Sequence, residues 1–131
     1  MTFCTAVNCM DGRVQLPVID FLKKRFGVDY VDMITEAGPC QMFGQRTGET
    51  ACDSITQRIT VSVVRHRSKA IAVAGHYDCA GNPVSKEEQI AQIRESVACI
   101  KERFSQVEVI GLWVDENWSV SEIRYKAESA K

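Results

Sequence analysis

Four short apolar runs, at 3–8 (FCTAVN), 30–34 (YVDMI), 70–74 (AIAVA) and 107–114 (VEVIGLWV), alternate with longer stretches of helical character. Strands interleaved with helices imply βαβ units and a mainly parallel sheet. The helical stretches support this. Pro17 suits a first helical turn, Val18, Phe21, Leu22 and Phe26 follow at helical spacing, and Gly27 is placed to stop the helix. A second helix is expected from Ala51 to about Arg67, with Cys52, Ile55, Ile59 and Val63 as its apolar stripe. A third begins at Ser85, which with Glu88 matches a capping box, and carries Ile90, Ile93, Val97, Ile100 and Phe104 on one face. Residues 115–117 read as a turn, and 118–125 as a last, antiparallel edge strand. Residues 41–50 are polar with two glycines and read as irregular, and the tail from Lys126 as frayed or helical. The expected architecture is α/β and three-layered. It has a mainly parallel central sheet of four strands, an antiparallel edge strand and helices on both faces.

At 131 residues the chain reads as one domain, 1–131, large enough to bury a core. Sixteen basic and seventeen acidic residues leave a net charge of −1, with no basic cluster, which argues against a nucleic-acid partner. No apolar run approaches the roughly 18–20 residues that span a bilayer. The start Met1-Thr2-Phe3-Cys4 has no signal-peptide pattern, so the expected location is the cytoplasm. There, six cysteines are unlike a disulfide framework. Cys4, Cys52 and Cys99 read as core residues.

Parallel crossovers place all strand carboxyl ends on one rim, where open α/β sheets hold their chemistry. The loop after the third strand, Gly75-His76-Tyr77-Asp78-Cys79, presents an imidazole and a thiol three residues apart. If the first and third strands are neighbours, Cys9 joins them. Cys9, His76 and Cys79 then form a Cys2His set suited to Zn2+, with a fourth position left for water. Zinc can bring that water's ionisation near neutral pH, giving hydroxide as a nucleophile. Two thiolates soften the effect, so a group that holds the hydroxide would help. Asp11 and Arg13 suit that role: the guanidinium grips the carboxylate, and the ionised Asp11 accepts a hydrogen bond from the hydroxide. Alternatively, Asp11 is the fourth zinc ligand and closes the site.

Cys9-Met10-Asp11-Gly12-Arg13 resembles the C-x-D-x-R motif of the β-class carbonic anhydrases, and Gly75-His76-Tyr77-Asp78-Cys79 their G-H-x-x-C. Glu36-Ala37-Gly38-Pro39 stands where that family usually has N-A-G-N, and 109–114 resembles its late strand. The resemblance runs from Cys4 to about Ile123. It implies reversible hydration of carbon dioxide to bicarbonate by zinc-bound hydroxide. Cys9, His76 and Cys79 would be the metal ligands, and Asp11 and Arg13 the catalytic pair. It also implies a homodimer or a multiple of one. The chain departs from the pattern at Glu36 and Pro39-Cys40, at Ala80 after the H-x-x-C motif, and in showing neither the helical arm nor the glutamine that often precede the first motif. Two other functions remain open on the same fold: hydrolysis of carbon disulfide or carbonyl sulfide, and non-catalytic zinc binding or redox sensing. Of the remaining polar residues, His66 reads as an exposed or dipole-interacting helix-end residue. Cys40, Glu36 and Gln45 are candidates for the neighbourhood of the site. Trp113 and Trp118 read as packing or interface aromatics.

Overall fold

A computed structural model of the chain describes residues 1–41 and 49–124. The elements run in the order β1 (Phe3–Cys9), α1 (Gly12–Phe26), β2 (Tyr30–Glu36), α2 (Glu49–Thr60), β3 (Ala70–His76), α3 (Lys86–Arg103), β4 (Glu108–Val114) and β5 (Val120–Ile123). One sheet holds all five strands in the order β2-β1-β3-β4-β5. Among the described residues, only the β4–β5 pair is antiparallel.

Strand alternation divides the core into two faces. Ala6, Ala70, Ala72, Ala74, Ile110, Leu112 and Val114 turn toward α1 and meet Val14, Val18 and Leu22. Val7, Ile34, Ile71, Val73, Val109 and Trp113 turn the other way, against Ile55 and Ile59 of α2 and Ile93, Val97 and Ile100 of α3. The three layers and the edge strand thus match the sequence expectation. Among the described residues, no helix is long and apolar enough to cross a membrane.

Close packing of α3 depends on two positions without side chains. A Cβ on Gly75 would lie 2.7 Å from Ile93 Cδ1, and one on Gly111 would lie 2.7 Å from Ile93 Cγ2. Ile93 is fully buried against both. Gly111→Val is therefore expected to destabilise the fold by about 1–3 kcal/mol through overpacking. Urea denaturation checks this, and an unchanged midpoint would contradict the packing argument.

The structure departs from the sequence expectations at element ends. α1 starts at Gly12, so Pro17 lies inside the helix rather than in its first turn. The cause is Asp11, whose Oδ1 accepts from the Arg13 backbone N–H at 2.8 Å and caps the helix early. The helix expected to run to about Arg67 is α-helical only to Thr60. It then widens into a π-helical turn over Val61–Arg65. There Ser62 is buried, donates to Asp32 at 2.7 Å, and lies 2.6 Å from both the Thr5 and Ser68 hydroxyls. These polar partners hold the end of the helix against β1 and β2. β3 extends two residues further than expected, so His76 ends the strand instead of sitting in the loop. The Ser85 cap is present, with its hydroxyl accepting from Glu88 N–H at 3.1 Å, although Glu88 reaches that hydroxyl rather than the backbone amide. Of the stretch expected to be irregular, Glu49 and Thr50 already belong to α2. Gln45, Tyr125 and the tail from Lys126 lie outside the described residues.

Candidate metal centre

In the order β2-β1-β3, the chain leaves β1 toward one edge of the sheet and returns to β3 on its other side. Such a switch point leaves a crevice above the carboxyl ends of the two central strands. Cys9 ends β1 and His76 ends β3. The β1–β3 register runs from Thr5↔Ile71 only to Val7↔Val73, whereas β3 stays paired with β4 through His76↔Val114. The two central strands therefore part just below the site.

Cys79 follows on the loop after β3. Its Sγ lies 3.8 Å from Cys9 Sγ, and one donor atom from each of Cys9, His76 and Cys79 falls within 4.8 Å of the others. All three residues are buried. The sulfurs are too close for two free charges, so they share a proton. The Cys79 thiol donates to Cys9, which pulls the Cys9 pKa down and pushes the Cys79 pKa up. Backbone amides of Asp11 and Gly38 also favour the Cys9 anion, and those of Gly81 and Asn82 favour the Cys79 anion. Each thiolate thus has its own outer set of donors.

His76 Nδ1 donates to the Tyr77 carbonyl at 2.7 Å, which leaves Nε2 as the lone-pair nitrogen. That Nε2 is buried and makes no well-formed hydrogen bond among the described residues, with the Cys9 sulfur facing it. A buried acceptor left without one costs stability unless a ligand completes it. Two thiols and an imidazole nitrogen, with the other ring nitrogen fixed by a carbonyl, are the donor set and outer hydrogen bond that zinc favours. The residues fit the ion.

Asp11 and Arg13 stand beside this group. Arg13 Nη2 lies 2.7 Å from Asp11 Oδ2, and Nε lies 3.1 Å from Oδ1. These hydrogen bonds hold the Asp11 carboxyl down at about 2. Arg13 also reaches the loop after β3, with Nη1 3.4 Å from Asp78 Oδ2 and Nη2 donating to the Asp78 carbonyl at 3.3 Å. Its guanidinium lies 4.5 Å from the centre of the Trp118 ring. One side chain therefore links the loops after β1, β3 and β4.

The loop after β2 packs backbone to backbone on the loop after β3. Gly38 has φ +65°, and a Cβ there would lie 2.7 Å from Asn82 Cβ. A Cβ on Gly81 would lie 2.6 Å from the Ala37 carbonyl carbon. Gln41 Nε2 donates across the same contact to the Gly81 carbonyl at 2.7 Å.

The other candidates fall into place around this centre. Glu36 pairs with Arg58 at 2.5 Å, so its carboxylate serves an ion pair on the β2 side. His66 has its Nδ1 2.7 Å from Asp32 and stacks on Phe3 at 4.2 Å. Asp32 and Phe3 lie near the amino ends of their strands, at the other end of the sheet from the crevice. Cys4, Cys52 and Cys99 are buried, as expected of core residues. Trp113 is buried against α3, and Trp118 supports Arg13.

Cys40 is buried with Asn82, Gln89 and Gln92 around it, and burial raises its pKa to about 11. Among the described residues the converging donors are Cys9, His76 and Cys79, and the Cys40 sulfur faces these amides instead. Cys40→Ala is expected to leave the zinc content at its wild-type level. Elemental analysis of the purified protein checks this, and a halved content would make Cys40 part of the centre. Gln89, Gln92 and Ser96 are buried on α3 as well. Sequence reading missed them because they interrupt the apolar stripe without a motif. Their spacing of three and four residues on the buried face was the available signal.

Solved structures with this fold include β-carbonic anhydrase isoform I from Trichomonas vaginalis. It has 18% identity and a TM-score of 0.59, with 91% of this chain and 81% of that chain covered. The β-carbonic anhydrase CafD of Aspergillus fumigatus shares 12% identity at a TM-score of 0.56, with coverages of 95% and 90%. The β-carbonic anhydrase CcaA shares 12% at 0.55, with 95% and 81% covered. No curated protein matches the chain. The profile of the family described as Putative carbonic anhydrase matches residues 1–124, which takes in every strand, both loop motifs and all three donor residues, and the chain belongs to that family.

Proposed function

We propose that the protein catalyses the reversible hydration of carbon dioxide, CO2 + H2O ⇌ HCO3− + H+, with Zn2+ as its cofactor. The observation that carries this reading is the convergence of Cys9, His76 and Cys79 at the switch point, with His76 Nε2 buried and without a well-formed hydrogen bond among the described residues. These three residues would hold the ion, which when bound acts as a Lewis acid and brings the ionisation of water near neutral pH.

The chain's own residues supply the rest. Arg13 keeps Asp11 ionised, so Asp11 is only an acceptor through the working pH range. As an acceptor it orients the attacking oxygen by taking its hydrogen bond, leaving a lone pair directed at the carbon of CO2. Both Asp11 oxygens are engaged by Arg13, which favours a carboxylate held beside the centre over one that swings in as a fourth ligand. The Asp78 and Trp118 contacts hold Arg13 in that position. The product proton leaves to solvent.

Met10, Leu16 and Tyr77 are exposed apolar residues on the two loops and the helix that flank the site. They support assembly as a homodimer at this end of the sheet, which analytical ultracentrifugation tests. A cytoplasmic location is part of this reading, since a reducing compartment would keep the thiols of the centre available to the ion.

Stopped-flow measurement of CO2 hydration on zinc-loaded protein from pH 7 to 9 is the direct test. No catalysis above the buffer rate would sink the proposal. Release of hydrogen sulfide from carbon disulfide or carbonyl sulfide in a parallel assay would move the substrate while keeping the site. Bound zinc with neither activity would leave a binding or sensing protein.

A further inference from the structure

Parallel strands turn the backbone groups of successive residues alternately to their two neighbours. On β3, the Tyr77 N–H goes to Val114 of β4 at 2.9 Å, so the N–H and C=O of His76 face the β1 side. The β1–β3 ladder has already ended at Val7↔Val73. The strand that should accept and donate there has moved away to open the crevice. The backbone N–H and C=O of His76 are both buried, and leaving their hydrogen bonds unmade would cost free energy and let the residue drift.

Gln89 of α3 takes the place of the missing strand. Its Oε1 accepts from the His76 N–H at 3.3 Å, and its Nε2 donates to the His76 carbonyl at 2.8 Å. The side chain amide thus presents to His76 the acceptor and the donor a neighbouring strand would have presented. Gln89 is only 2% exposed, an expensive place for an amide unless both of its ends are used. Gly75 makes room for it, since a Cβ there would lie 2.8 Å from Gln89 Oε1. Three features of the chain therefore serve one contact: the glycine before His76, the early end of the β1–β3 ladder, and a glutamine on the buried face of α3.

We infer that Gln89 is a positioning residue for His76, fixing the backbone from which the imidazole reaches the donor cluster. The inference rests on the proposal that Cys9, His76 and Cys79 take zinc. Its action is on the ligand's backbone. It complements the Tyr77 carbonyl, which fixes the ring.

The test compares full-length wild type with Gln89→Leu, which keeps the bulk of the side chain and removes both hydrogen bonds. Ser96→Ala serves as a control. Ser96 is buried on the same helix but bonds Cys40 and Gln92 carbonyls instead of His76. Zinc affinity is read by competition with a chromophoric chelator, and ligand geometry by the visible absorption of the cobalt(II)-substituted protein. Gln89→Leu is expected to bind zinc about 10–100-fold more weakly, the range for losing an outer hydrogen bond to a ligand. Its cobalt bands should shift, while Ser96→Ala keeps wild-type affinity and bands. If Gln89→Leu does not fold, Gln89→Met makes the same comparison with a more adaptable side chain. Wild-type affinity and bands in the Gln89 variant would overturn the inference, as would an affinity loss equal to that of Ser96→Ala with unmoved bands. A wild-type protein that binds no zinc would overturn the metal proposal and this inference together, whereas the other two results leave the metal proposal standing.

Discussion

Cys79→Ser is expected to empty the centre of zinc and to abolish activity. Serine is nearly isosteric, but its hydroxyl does not ionise near neutral pH and is a poor zinc ligand. Among the described residues, Cys79 is also one of only three donors in the cluster, its sulfur 3.8 Å from that of Cys9. Losing an outer hydrogen bond costs about 10–100-fold in metal affinity, so losing a ligand should exceed about 100-fold. His76→Ala and Cys9→Ser should behave alike, because each leaves two donors where tetrahedral zinc needs at least three from the protein. The measurement is zinc per chain after dialysis against a chelator, alongside stopped-flow hydration. Circular dichroism shows that the variant is folded. A folded Cys79→Ser protein that keeps a full complement of zinc and hydrates CO2 would dispose of the proposed centre.

The second large effect is at Asp11, where two substitutions separate catalysis from folding. Asp11 both caps α1 and receives Arg13. Asn is as good a cap as Asp, while Ala forfeits the cap at a cost of about 0.5–2 kcal/mol. Asp11→Asn should therefore retain most of the stability of α1. Its amide carries no charge, and its NH2 donates where the carboxylate only accepted. Hydration should fall by about 100-fold, the scale of a lost acid–base or orienting group. Asp11→Ala should lose the same activity and some stability besides. An active Asp11→Asn enzyme would reduce the Asp11–Arg13 pair to a staple between loops.

Acid stability gives that pair a separate signature. Arg13 lowers the Asp11 carboxyl from its ordinary 3.8 to about 2 in the folded chain. A depressed pKa adds stability above the unfolded value and loses it as the pH falls through the folded one. The melting-temperature gap between zinc-free wild type and zinc-free Asp11→Asn should thus be steady from pH 5 to 9. It should close as the pH drops from about 3.8 to about 2. A gap that stays level throughout would mean that the ion pair contributes nothing to folding.

The convergence of Cys9, His76 and Cys79 was readable in the chain because Cys9 and His76 end strands and Cys79 follows three residues after His76. Strand runs are short and apolar, and parallel topology fixes which ends share a rim. What lay beyond reach were positions whose role depends on a distant partner. Pro17 looked like a helix start because local preference favours it there, but Asp11 capped the helix one turn earlier to meet Arg13. The π-helical turn at Val61–Arg65 answers to Asp32 and Thr5, which are far away in sequence. Gln89 has no motif at all. Its two bonds to His76 depend on where the β1–β3 ladder stops, and no periodicity in the sequence shows that. Asp78 and Trp118 likewise became visible as supports of Arg13 only when three loops met.

The glycine contact between the loops after β2 and β3 bears on how the protein breathes. With Gly38 and Gly81 in backbone contact and Gln41 bonded across them, neither loop can swing outward while the other stays put. Opening then becomes a collective fluctuation, and the amides of both loops should exchange with deuterated solvent at a common rate. Cys79 rides on one of these loops, and the amide of Gly38, on the other, faces Cys9. Release of an ion from the centre would accordingly be governed by the slow parting of two chain segments, not by the departure of a single ligand.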